Sequence, residues 1–145
     1  MIFTLQNIAT KNLNTRQIEA YNLQKVSAIF ADFGFVTIRM TSDWGYADFI
    51  AQHIDGVFLR VQLKGRLSFY KKYLGKDLFI CFRSAETWYL YPHDEMLEQN
   101  LNRGYIGKEF WNVHGGYSNP KPSKGQQVLL EKYELKRGLK LSLPG

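Results

Sequence analysis

The chain has 145 residues, 45% of them hydrophobic and 22% charged, with a net charge of +6 and a pI near 9.4. That length supports one hydrophobic core, so a single domain over residues 1–145 with one principal site is expected. No apolar run approaches the roughly 18 residues of a membrane span, which excludes a spanning helix and predicts a soluble protein with no membrane partner. The one cysteine, Cys81, lies inside the apolar run LFICF and reads as a buried structural thiol, so disulfide frameworks and zinc–thiolate centres are set aside.

The opening MIFTLQNIATKNLNTR lacks a basic lead, a sustained apolar segment and a small-residue cleavage site. It predicts no secretory signal and a cytoplasmic location. Asn14, with Gln17 three positions on, makes a capping-box pattern that starts a helix running to about Asp32 and closed by Gly34. Leu23, Val26, Phe30 and Phe33 recur at helical spacing with Ile18 and Ile29 beside them, and Glu19 heads that stripe. A carboxylate there must be paired, hold its head in water, or sit where the core opens onto a polar site.

Residues 35–40 read as a short strand and 41–46, with Asp43 and Gly45, as a loop. A hairpin follows, its strands at 47–53 and 57–66 joined through Asp55-Gly56; residues 71–77 form a loop or a short helical turn. Two more strands occupy 78–83 and 88–91, the second stopped by Pro92, and His93-Asp94 offers caps for a helix over 95–102. Gly, Asn and Pro fill residues 103–121, predicting an ordered loop anchored by Trp111 and Tyr117, with His114 in it. Ser123 with Gln126 opens a last helix, set against the sheet by Val128, Leu129 and Tyr133. The sum is an α/β or α+β sandwich, one mixed sheet of about five strands flanked by helices.

The hairpin carries the chemistry. Gln62-Leu63-Lys64 lies late in its second strand, so Gln62 and Lys64 share one face, and Asp48 stands on the first strand. A similar triplet, Glu134-Leu135-Lys136, ends the last helix in a basic tail with no acidic strand residue before it, and fails on context. Register decides the rest. A two-residue turn at Asp55-Gly56 would set Asp48 opposite Leu63 and split the group; a three-residue loop of Ile54, Asp55 and Gly56, with Gly56 left-handed, sets Asp48 opposite Gln62. The glycine in third place predicts the second arrangement.

Phosphodiester hydrolysis needs a hard cation that balances phosphate charge and lowers the pKa of an attacking water. Asp48 would offer Mg²⁺, or Mn²⁺ in its place, a charged oxygen, with neutral oxygens from the Gln62 amide and the Leu63 carbonyl. Lys64 would orient the water and stabilise charge on the phosphate, and Glu19 could reach the metal from the helix. Arg66, Lys71, Lys72 and Lys76 crowd around this site, interleaved with Phe69, Tyr70 and Tyr73, and suit a nucleic-acid backbone. The basic balance is equally that of any soluble basic domain. His53 and His93 read as structural.

The helix with Glu19, the strand with Asp48, the strand with Gln62-Leu63-Lys64 and the following LFICF strand together resemble the core of the PD-(D/E)XK nuclease superfamily over about residues 14–91. They resemble especially the small single-domain members, group I intron homing endonucleases of this fold and Holliday junction resolvases. The resemblance implies a restriction-endonuclease-like core and a metal-dependent DNA endonuclease, with Asp48, Gln62, Lys64 and Glu19 at the active site. Ala47 replaces the proline of the motif, and Gln62 replaces its usual acidic residue. Cutting both strands of a duplex implies a homodimer or larger homo-oligomer. The alternatives are a nuclease fold that has lost catalysis and binds nucleic acid or a partner protein, or an interaction module in which Lys64 merely pairs with Asp48.

Overall fold

Asn14 opens the first helix through a reciprocal cap: its side chain accepts the Gln17 N–H at 2.9 Å, and the Gln17 side chain accepts the Asn14 N–H at 2.9 Å. Helix α1 then spans Thr15–Asp32 in this computed structural model, which describes residues 1–41 and 45–144. Asp43, assigned to the loop before the hairpin, lies outside the described residues. Gly34, at φ 83°, ends the helix and turns the chain into β1 (Phe35–Arg39).

The hairpin strands are β2 (Phe49–His53) and β3 (Phe58–Lys64), followed by β4 (Leu67–Tyr70) and a 3₁₀ turn at Lys71–Tyr73. Next come β5 (Leu78–Ser84), β6 (Thr87–Pro92) and α2 (His93–Asn102). β1, β2 and β3 pair antiparallel in turn, β5 joins β3 in parallel, and β6 closes the order β1-β2-β3-β5-β6 antiparallel to β5. This is the expected mixed five-stranded sheet.

Alternation along the strands sends apolar side chains to both faces. On one, Val26 and Phe30 of α1 pack against Phe49, Ala51, Val61, Phe79 and Cys81. On the other, Ile80, Phe82 and Tyr91 meet Met96 and Leu97 of α2 and Leu67 and Phe69 of β4. Cys81 is fully buried, and burial pushes its thiol pKa up.

Three assignments are corrected. Residues 103–121 are no loop: they hold α3 (Lys108–His114), ended by left-handed Gly115 at φ 65°, and β7 (Gly116–Asn119), which pairs with β4. Glycine-rich composition hid a helix whose glycines stand at its two caps, and a strand whose partner is distant in sequence. α2 begins at His93 with Pro92 as its cap residue, so His93 and Asp94 lie inside the first turn. In α4 (Lys124–Glu131) the inward stripe is Gln126, Leu129 and Leu130, with Tyr133 beyond, and Val128 is exposed; Glu134 lies past the helix, bridged to Tyr89.

Candidate active site

Ile54, Asp55 and Gly56 form the three-residue loop. His53 N–H donates to the Val57 carbonyl at 2.8 Å and Gly56 N–H to the His53 carbonyl at 2.9 Å, with Gly56 at φ 92°. Bridged pairs run from Gln52↔Phe58 to Phe49↔Val61, and Asp48, expected within the first strand, stands just before β2 at the end of the ladder. Gln62 and Lys64, two apart on β3, share a face of the sheet, and Asp48 lines the same cleft as both. The ladder breaks at Asp48: its N–H donates to the Val61 carbonyl at 2.8 Å, while the Leu63 N–H donates to Asp48 Oδ2 at 2.8 Å. A carboxylate thus takes the place of a backbone acceptor, and beyond it β3 pairs only with β5, up to Lys64↔Phe82.

An open cleft of about 460 Å³ occupies this end of the sheet. Thr15, Ile18, Glu19 and Asn22 of α1 line it with Arg39, Met40, Asp48, Gln62, Leu63 and Lys64. The buried residues of α1 are Val26 and Phe30, so the first turns of the helix overhang the cleft and Glu19 is exposed at its rim. Its carboxylate is exposed beside the cleft, not paired in the core.

Burial raises the Asp48 pKa from its ordinary value; the Leu63 N–H and the Lys64 charge oppose the rise, the Glu19 charge adds to it, and Arg39 offsets it weakly. A partly buried carboxylate with a second carboxylate nearby is an environment that a cation would stabilise. The available donors are all hard oxygens, namely the Asp48 and Glu19 carboxylates, the Gln62 amide oxygen and the Leu63 carbonyl, and they suit Mg²⁺ or Mn²⁺ better than a softer ion. Among the described residues no three His, Cys, Asp or Glu side chains converge.

Arg39 escaped the sequence reading, and the register contains the signal for it. It pairs with Phe49, the neighbour of Asp48, and the next residue, Met40, donates its N–H to the Asp48 carbonyl at 2.9 Å. The Lys64 ammonium stands over the Tyr70 ring at 5.3 Å and the Tyr73 ring at 5.6 Å. Arg66 is exposed in the turn between β3 and β4. Lys71 Nζ donates to the Asn112 carbonyl at 3.1 Å, toward the end of α3. Lys72 stands over the Tyr46 ring at 5.6 Å, and Lys76 is exposed, its carbonyl accepting from Arg60 Nη1 at 3.4 Å. Phe69 and Tyr73 belong to the core, and Tyr70 is half-buried.

His93 is buried as a structural group. Its Nε2 accepts the Tyr70 N–H at 3.1 Å, which leaves Nδ1 as the donor to Asp94 Oδ1 at 2.8 Å. Burial lowers its pKa, against the pull of Asp94.

The solved structures that match the chain include two small nucleases. Hjc, a Holliday junction resolvase from Archaeoglobus fulgidus, matches at 14% identity with a TM-score of 0.41, over 50% of this chain and 76% of the resolvase. The bacterial homing endonuclease I-Ssp6803I matches at 14% identity with a TM-score of 0.48, over 83% of this chain and 94% of the endonuclease. Both likenesses are of chain course, not of sequence. No protein-family model matches the sequence, and no curated protein matches it significantly.

Proposed function

We propose that the protein is a metal-dependent DNA endonuclease. The observation that supports this most strongly is the break in the β2–β3 ladder, where Asp48 accepts the Leu63 N–H in a cleft that Gln62, Lys64 and Glu19 also line. Asp48 would hold the cation with Gln62, the Leu63 carbonyl and Glu19, leaving water in the remaining positions. Mg²⁺ bound there supplies positive charge to the phosphate and acidifies water. Asp48 keeps one carboxylate oxygen on the Leu63 N–H, which fixes its rotamer. Lys64 directs its ammonium at the phosphate oxygens, where negative charge grows as the nucleophile attacks. Arg39, at the same cleft, adds a planar donor pair suited to a phosphate.

A homodimer or larger homo-oligomer would supply one site per strand. In support, Val36 (62%), Ile38 (48%) and Phe58 (57%) are exposed on the sheet face away from α1, at the β1 edge.

The second reading, a nuclease fold that binds nucleic acid or a protein without cutting, draws on the neutrality of Gln62 and the absence of a three-residue acidic cluster among the described residues. Incubation with supercoiled and branched DNA separates the two. The nuclease reading expects cleavage with Mg²⁺ or Mn²⁺ that vanishes in EDTA and in Lys64→Ala. Binding without cleavage under every metal condition would favour the second.

A further inference from the structure

We propose that Lys72, gathered with Lys64 over one pair of tyrosine rings, seats a second phosphate of the nucleic-acid backbone, next to the one that Lys64 meets at Asp48; this rests on the nuclease reading of the cleft. Lys64 Nζ lies 5.3 Å from the Tyr70 ring centre and 5.6 Å from that of Tyr73, and Lys72 Nζ lies 5.7 Å and 5.5 Å from the same two centres. Ring faces attract both ammonium groups but neutralise neither. Among the described residues no carboxylate is within ion-pair distance of either. Two cations held together, with no ion pair to either among the described residues, make a standing attraction for an anion.

The platform is built rather than incidental. Tyr73 is 2% exposed, and Tyr70 stands edge-on to it at 5.4 Å. Tyr70 also lies so close to Gly116 that a Cβ there would come within 2.9 Å of its ring. Its N–H is held by His93. Tyr46 contributes a third ring, tilted against Tyr73 at 5.6 Å, from a left-handed backbone at φ 64° that a tyrosine adopts only under constraint. The rings are thus fixed from the core side before any ligand arrives, and a phosphate would find both charges already in place.

Fluorescence anisotropy with a labelled duplex DNA in Ca²⁺, over a range of NaCl, tests the seat. Lys72→Ala should weaken binding about tenfold and lower the log–log salt slope by about one. Lys72→Arg should keep both near wild type, and Lys25→Ala, at an exposed lysine of α1, should change little. In cleavage assays Lys72→Ala should raise KM. A wild-type enzyme that cuts DNA, with Lys72→Ala unchanged in slope and KM, overturns the seat and leaves the nuclease reading intact. DNA binding whose slope falls by about one in Lys72→Ala, from a protein that cleaves DNA under no metal condition, supports the seat and overturns the nuclease reading.

Discussion

The Leu63 N–H donates to Asp48 Oδ2 at 2.8 Å, so the residue between Gln62 and Lys64 is tied to the acidic residue of the neighbouring strand. This bond couples the backbone of the triplet to the carboxylate that would hold the cation. It also locks the register at the point where the strands part. Asp48→Asn keeps the size of the side chain and an oxygen acceptor for that N–H, but not the charge. It should therefore fold normally and lose at least about a hundredfold in cleavage, the scale of removing an electrostatic group from an active site. Single-turnover kinetics beside a thermal melt would check it.

The same substitution carries a pH signature. The Asp48 pKa is raised on folding, chiefly by burial. The folded state therefore holds a proton more tightly than the unfolded state, and any stability from this group is complete below the ordinary carboxylate value and lost as pH rises through the raised one. At neutral pH Asp48→Asn should be no less stable than wild type, and the difference should move against the variant as pH falls through the carboxylate range. Cation binding must displace the same proton, so Mn²⁺ affinity should begin to fall at a pH above the ordinary carboxylate value of about 3.9. Urea melts and Mn²⁺ titrations across pH 3 to 8 would reveal both.

His93 should act in the opposite direction. Its pKa is lowered by burial, so the stability it contributes is complete above the ordinary histidine value and lost as pH falls through the lowered one. Asp94 Oδ2 also accepts the Gly75 N–H at 2.9 Å, so His93 and Asp94 together pin the segment that carries Tyr70, Tyr73 and Lys72. His93→Phe leaves the Tyr70 N–H without its acceptor and should cost about 1–3 kcal/mol. Denaturation at pH 7.5 and pH 5 should show that cost shrinking at the lower pH.

The hairpin loop offers a test of register. Gly56 sits at φ 92° with nothing within 4 Å of a built Cβ, so Gly56→Ala meets backbone strain alone and should cost about 1–2 kcal/mol without abolishing cleavage. Deleting Asp55 instead leaves a two-residue turn, slips β2 on β3 by one residue and would break the bond from the Leu63 N–H to Asp48. That variant should lose cleavage even where circular dichroism reports native strand content.

For assembly, Phe58→Lys on the uncovered face should convert a homodimer to monomers without unfolding the chain. Light scattering of the two proteins at equal concentration would decide it.

The capping box at Asn14, the five-stranded sheet and the hairpin register are all legible in the sequence, because each is written in neighbouring residues: a cap and its partner three positions on, an alternation, a glycine in third place. What escapes is non-local. β7 finds β4 across 46 or more residues of chain, a pairing that no local pattern announces. α3 carries its glycines at its caps, and composition alone turns those into a loop. Arg39 reaches the cleft only because β1 pairs beside β2. Helical spacing puts Glu19 at the head of the buried stripe, yet the buried residues of α1 begin at Val26 and the Glu19 carboxylate is exposed beside the cleft.

The most direct measurement is Mn²⁺ binding by isothermal titration to the wild-type protein, Asp48→Asn and Lys64→Ala, each checked for folding. A cation site at the broken ladder should bind Mn²⁺ in the wild type and in Lys64→Ala and lose it in Asp48→Asn. Equal binding in wild type and Asp48→Asn, or none in a folded wild type with DNA present, would contradict a metal centre at Asp48.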